Sequence, residues 1–361
     1  SLGNDVILTP KFFCYMDYYQ TKRPFSNKEG LLFRDNRILT LRKAYNLVPH
    51  EGLQPSEYGR ILGVQANLWT EYIADADHLY YMLLPRLAAL SEVQWCNKEV
   101  REWDRFISNF RMHEIYDVMG YNYAKHIFGI TAETETNVES RTITATLSTI
   151  GGVPIYYTLD GSEPTTESAV YTEPLEIDEQ CTLTAAVFRE GIDVANCVVP
   201  ILFNKATARP ATLNSNPHAK YLFEGAKTLV DGRVGGPDFG GGPWIGYLFE
   251  DMDITIDMEG SESYSKVVLT ALAEKAPWVF LPMSMTVLTS DDNENFTEVG
   301  HLDIEPQAKG EPDGIFKFAI DIEPTTARYL RVKAATLDPV SKWHNGGGGK
   351  GFLFAGEIEV E

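Results

Sequence analysis

Residues 63–72, GVQANLWTEY, decide how the first third of this chain is read. The stretch looks like the apolar end of a strand running into a tryptophan and a carboxylate. On a strand, side chains two positions apart point to one face, so Trp69 and Glu71 are expected to share a face at the strand's end. Working outward, DVILTPKFFCYMD (5–17) is a second strand candidate and TLRKAYNLV (40–48) a short helical stretch between the two. ADHLYYMLLPRLAALSEVQW (76–95) follows, with Leu79, Leu83, Leu87, Leu90 and Val93 at helical spacing on one apolar face. A further amphipathic helix is expected after Asn97 as N-cap, with Val100, Trp103, Phe106 and Phe110 inward. Strands alternating with helices from residue 1 to about residue 128 are the pattern of parallel βα units.

Two further changes of pattern divide the rest. From 131 to 204 the periodicity turns to two, in RTITATLST, VPIYYTL, LTAAVF and ANCVVPILF, separated by Gly, Pro and Asp turn signals. Such short runs at such spacing predict a small β-sandwich. From 208 to 361 the runs DITIDM, KVVLTAL, MTVLTSD, ARYLRVKA and GEIEVE are joined by glycine-rich connections, GRVGGPDFGGGPW and WHNGGGGKGF among them. All-β runs with long loops predict a jelly-roll sandwich.

Composition narrows the partners. With 31 basic and 51 acidic side chains the formal charge is −20, which repels polyphosphates and anionic membrane surfaces and argues against a nucleic-acid role. A neutral partner fits better, and the aromatic residues, 12% of the chain, can stack on apolar faces of a ligand as well as fill a core. No apolar run reaches membrane-spanning length and no signal peptide is seen. The four cysteines form no CxxC pair and have no nearby histidines for a zinc site; Cys181 and Cys197 flank one hairpin, which leaves a disulfide open.

GVQANLWTEY, followed by YYMLLPRLAALSEVQW, resembles the last strand and helix of the (β/α)8 barrel of family 20 glycoside hydrolases, the β-N-acetylhexosaminidases. VILTPKFFCYMDYYQ is similar to the preceding strand, with Tyr15 and Asp17 in its Tyr-x-Asp element. VPIYYTLDGSEPT resembles the small sandwich that follows this barrel in chitobiase-like enzymes. LVDG, TSDDNENF, ARYLRV and GEIEVE are similar to a discoidin, or coagulation-factor type C, module. The expected architecture is therefore multi-domain: the last strands and helices of a TIM barrel in 1–128, an Ig-like sandwich in 131–204, and a discoidin-like, galactose-binding-like sandwich in 208–361.

The resemblance implies roles. In such barrels the site lies at the C-terminal ends of the strands. Trp69 would floor the sugar ring and Glu71 would accept hydrogen bonds from distal hydroxyls. Tyr15 would donate to the acetamido carbonyl of an N-acetylhexosamine glycan, and Asp17 would bind another hydroxyl. Family 20 catalysis is substrate-assisted: the 2-acetamido oxygen attacks the anomeric carbon, an adjacent Glu acts as general acid, and an Asp orients the acetamido N–H. That Asp-Glu pair lies on an earlier strand in the family. Here the single Asp-Glu dipeptide, Asp178-Glu179, falls in a turn of the small sandwich. The chain is therefore expected to be part of an exo-β-N-acetylhexosaminidase, inactive alone. A non-catalytic carbohydrate-binding or interaction protein is the alternative, and the sequence upstream of Ser1 would discriminate the two.

Other residues carry lesser expectations. Glu92, inside the apolar face of 76–95, is expected to pair with Arg86 or a backbone donor. By resemblance, Asp231 and Glu357 would bind a structural calcium, no cofactor being needed for catalysis, and hard oxygen ligands suit that ion; a turn cap and a solvated carboxylate are the alternative. Trp244, Trp278, Trp343 and His344 lie in or beside loops as candidate sugar platforms. GGGGKG (346–351) lacks the Ser/Thr and the following helix of a phosphate loop. Two strands cannot close a barrel, so self-association or packing on the sandwich is expected to cover residues 1–128. Family substrates imply a periplasmic or extracellular location.

Overall fold

The computed structural model describes residues 3–361 apart from 22–37, 72, 193, 234, 238 and 241. In its N-terminal part, β1 (Val6–Leu8) and β2 (Ile61–Val64) pair in parallel, Val6 with Ile61 and Leu8 with Val64. The helices are α1 (Lys11–Cys14), α2 (Leu41–Tyr45), α3 (Ala76–Leu83), α4 (Arg86–Trp95), α5 (Trp103–Ser108) and α6 (Met112–Val118). The strand expected over 5–17 is interrupted by α1, which begins after Pro10. The ladder then resumes: Asn67 N–H donates to Cys14 O (2.8 Å), Met16 N–H to Asn67 O (2.7 Å), and Tyr15 pairs with Asn67. On the second segment regular strand ends at Val64 and the last pairing is at Asn67, so Trp69 and Glu71 follow the strand instead of ending it.

The helix expected over 76–95 is two helices broken at Leu84-Pro85, where proline has no N–H for the helical ladder. Leu90 and Val93 remain in the core, but the break turns Leu87 outward. After Asn97 comes only a single 3-10 turn, Lys98–Val100, and the α-helix begins at Trp103; Val100 is exposed, whereas Phe110 is buried. Arg86 is fully buried and anchors this region. Its guanidinium donates to the carbonyls of Tyr18 (2.8 Å), Leu39 (3.0 Å), Met16 (2.6 Å) and Met82. The Cys96 amide donates to the Glu92 carbonyl (3.0 Å) at the end of α4.

The small sandwich has seven strands in two antiparallel sheets: β3 (Ile130–Asn137), β4 (Thr142–Thr149), β5 (Tyr156–Thr158), β6 (Ala169–Val170), β7 (Leu175–Ile177), β8 (Cys181–Ala186) and β9 (Cys197–Ile201). One sheet runs β3-β4-β7 and the other β6-β5-β8-β9. Ile143, Leu147, Leu183 and Ile201 fill the space between them. Cys181 faces Ile201 across the β8-β9 ladder and Cys197 faces Ala185, so the two thiols lie four ladder positions apart, and both are free. At about 3.3 Å per residue this is roughly 13 Å, well beyond disulfide reach.

The C-terminal sandwich contains β10 (Ala211–Leu213), β11 (Ile245–Tyr247), β12 (Met252–Ala273), β13 (Ser284–Ser290), β14 (Thr297–Asp303), β15 (Gly314–Ala335) and β16 (Leu353–Val360), in the order β11-β16-β12-β15-β13-β14 with β10 on β12. DITIDM and KVVLTAL, read as separate strands, are two arms of β12. Asp257 pairs with Tyr329 and Lys266 with Asp321, and the register shifts between them. The pairing lapses over 258–261 and again at 265 and then resumes, irregularities of the bulge kind that re-aim a strand. Ile254, Val267, Met285, Leu330 and Ile358 close the core. Among the described residues no helix is long and apolar enough to cross a membrane.

Candidate functional site

The ladder between 14–16 and 67 brings Tyr15 and Trp69 together, ring centroids 6.1 Å apart and tilted by 60°. Tyr18 meets the other side of Tyr15 edge-on at 6.0 Å. Tyr15 is half-buried, whereas Trp69 keeps 52% of its surface exposed. The indole therefore contacts Tyr15 and leaves about half of its surface open. Asp17 is half-buried beside Met16, whose carbonyl Arg86 grips. Glu71 lies exposed in a turn, so the shared-face expectation from strand alternation does not extend to it. Arg86 escaped the sequence reading as a partner of backbone carbonyls. The available signal was an arginine inside an otherwise apolar helical face.

The other candidates separate by burial. Trp244 is 2% exposed, donates its indole N–H to Gly236 O (3.1 Å) and packs on Gly235 and Gly356, where a Cβ would come within 2.3 and 2.8 Å of its ring. It is a core residue, and part of the glycine content of its loop makes room for it. His344 Nδ1 accepts the Gly346 N–H (3.0 Å), so Nε2 donates to Lys275 O (2.9 Å) and neither nitrogen is left for a ligand. The rings of Trp278, Phe280 and Trp343 stand edge-on around it. Trp343 is half-buried, and Trp278 is 40% exposed at a positive φ of 68°.

Asp231 and Glu357, remote in sequence, meet in the interior, 0% and 1% exposed. Glu357 Oε2 accepts the amides of Asp231 (3.1 Å) and Gly232 (3.0 Å). Asp231 Oδ1 accepts the Arg233 amide (2.8 Å) and Oδ2 the Arg233 Nε–H (2.7 Å). Burial pushes the Asp231 carboxyl up to about 6, against the pull of Arg233. Burial, then the charge of Asp231, pushes Glu357 well above the usual range. No cluster of three or more His, Cys, Asp or Glu side chains suited to a metal occurs among the described residues.

The described residues thus combine a Tyr15–Trp69 ring pair beside a parallel ladder with two all-β domains later in the chain. The comparisons make the family specific: residues 1–98 match the glycosyl hydrolase family 20 catalytic domain and residues 133–197 the chitobiase/β-hexosaminidase C-terminal domain. A β-hexosaminidase of Akkermansia muciniphila is 31% identical over 121 residues, 34% of this chain and 23% of that protein. One of Porphyromonas gingivalis is 32% identical over 185 residues, 49% of this chain and 22% of that protein. The chain thus spans under a quarter of the length of these relatives. A fucose binding module of Streptococcus pneumoniae is 21% identical, covering 48% of this chain and 97% of its own, with a TM-score of 0.30, too slight a likeness to bear on function.

Proposed function

We propose that this chain supplies one side of a sugar subsite, and two accessory sandwiches, to an exo-β-N-acetylhexosaminidase acting by substrate-assisted, retaining hydrolysis. The observation that carries the reading is the Tyr15–Trp69 pair, placed by a parallel ladder inside the segment that matches the family. In this role Trp69 stacks on the apolar face of a terminal N-acetylhexosamine, Tyr15 holds the acetamido oxygen for its attack, and Asp17 and Glu71 take hydroxyls. The last strands of a (β/α)8 barrel would account for β1 and β2. Ile7 and Leu62, 54% and 66% exposed, fit a surface that further strands or a second chain would cover. Extracellular glycans would be the substrates.

A general acid within reach of the glycosidic oxygen is needed for hydrolysis, because binding without it lowers no chemical barrier. The chain's one Asp-Glu dipeptide lies at 178–179, outside residues 1–98. This chain alone is therefore expected to leave a chromogenic N-acetylglucosaminide intact, while N-acetylglucosamine changes its tryptophan fluorescence saturably and Trp69→Ala abolishes the change. Turnover by the purified chain would refute the inactivity; an unaltered response in Trp69→Ala would refute the subsite. The exposed Trp278 favours a second reading, a binding protein working through its C-terminal sandwich. In that case Trp278→Ala, and not Trp69→Ala, removes the response.

A further inference from the structure

We propose that the Arg233 guanidinium, bonded to Asp231 and Glu224, neutralises the Asp231 carboxylate that was expected to hold a structural calcium with Glu357, so that the C-terminal sandwich and its junction with the small sandwich are held without a metal. Calcium gathers six to eight oxygens at about 2.3–2.6 Å. Six described oxygens meet here: the two of the Asp231 carboxylate, the two of the Glu357 carboxylate and the carbonyls of Asp231 and Gly232. Each already faces a donor. Asp231 Oδ1 takes the Arg233 amide, and Oδ2 takes Nε at 2.7 Å and Nη2 at 2.5 Å. Glu357 Oε2 takes two amides, and Oε1 faces Asn204 Nδ2 at 3.5 Å. Asp231 O accepts the Thr136 hydroxyl (2.9 Å) and Gly232 O the Leu202 amide (2.9 Å).

Each of these hydrogen bonds takes up acceptor capacity that an ion would need from the same oxygens. The guanidinium supplies the missing charge instead. Its fork fits a carboxylate, and it stays ionised under all ordinary conditions. Arg233 is 14% exposed and its Nη2 also reaches Glu224 Oε1 at 2.8 Å, so it ties together two carboxylates that flank the 3-10 helix Gly225–Leu229. The same turn makes the junction: Arg233 pairs with Ile201 at the end of β9, and Thr136 and Leu202 reach over from the small sandwich. The guanidinium thereby fixes the backbone on which the two domains dock.

Calorimetry of the full chain in chelator and in millimolar calcium chloride tests this without any variant. The expected result is unchanged melting of both sandwiches, with Arg233→Gln lowering it by more than about 5 °C and Arg233→Lys falling between, since an ammonium keeps the charge but not the fork. Calcium binding that persists in Asp231→Asn lies elsewhere and leaves the proposal standing. A calcium-dependent rise in wild-type melting that Asp231→Asn removes overturns it, as does an Arg233→Gln protein that melts like the wild type. If Arg233→Gln does not fold, the wild-type comparison decides alone.

Discussion

Tyr15 and Trp69 lie on different chain segments and meet at 6.1 Å between ring centroids because Asn67 hydrogen-bonds on both sides of Tyr15, to Cys14 and Met16. In a full-length β-N-acetylhexosaminidase carrying this segment, Trp69→Ala should cost more than Glu71→Gln, since the exposed Glu71 holds no platform. The loss of a packed ring contact is expected to lower kcat/KM by about 2 to 4 kcal/mol in transition-state binding. Kinetics on an aryl N-acetylglucosaminide check the order, and unchanged kinetics in Trp69→Ala would remove the assignment. Tyr15→Phe should slow substrates bearing the 2-acetamido group more than a matched glycoside without it; equal losses would count against a role for the hydroxyl.

Arg86 offers a test of what holds the N-terminal part together. Replacing it by Met leaves the carbonyls of Met16, Tyr18, Leu39 and Met82 without its N–H donors. With buried groups costing about 1–3 kcal/mol each when unsatisfied, the loss should be at least about 3 kcal/mol. Lysine should recover part of it, because an ammonium cannot fork to four carbonyls. All six α-helices among the described residues lie before Ile130, so circular dichroism at a helical wavelength follows this part selectively. A helical transition within about 0.5 kcal/mol of wild type in Arg86→Met would show that the clamp is not a major stabilising element.

Gly232 probes the junction. It sits at φ +72°, and an added Cβ would come within 2.4 Å of Leu202 O and 2.6 Å of Ile143 Cδ1. Left-handed backbone alone costs a residue with a Cβ about 1–2 kcal/mol, and backbone contact cannot yield as a side chain could. Gly232→Ala should therefore destabilise by more than about 2 kcal/mol and separate the melting of the two sandwiches. Calorimetry showing one transition at the wild-type temperature would contradict the contact.

The Asp257–Arg328 pair gives a pH signature. Arg328 meets both Asp257 oxygens at 2.9 Å, and this hydrogen bonding holds the Asp257 carboxyl below its usual range. A depressed folded-state pKa means stability present above the unfolded value, near pH 4, and lost as the pH falls through the lower folded value. Arg328 is well exposed, so solvent screening keeps the contribution of the pair small. Asp257→Asn should melt slightly lower than wild type at pH 7, the difference shrinking to nothing in acid. A difference that grows on acidification would reverse the sign and refute the account.

Period-two runs such as RTITATLST, LTAAVF and MTVLTSD became β4, β8 and β13 because alternation specifies which face of a strand is buried, and that information is local. β3 was not legible in the same way: Thr and Glu alternate in ITAETETN, and after Ile130 its inner positions, Ala132, Thr134 and Thr136, are small or polar. Nor could DITIDM and KVVLTAL be joined, since an interruption after which the ladder with β15 resumes looks, residue by residue, like a strand end. The sequence determined the order of βα units and sandwiches, and it singled out Tyr15 and Trp69, because motif and periodicity are properties of neighbours in the chain. Only the tertiary structure decided that Trp244 is core, that His344 is bonded through both nitrogens, and that Arg86 grips four carbonyls. It also decided that Arg233 stands against Asp231 beside Glu357. Burial and hydrogen-bond satisfaction depend on which distant segments close over a side chain, and folding fixes those partners only when every segment is in place.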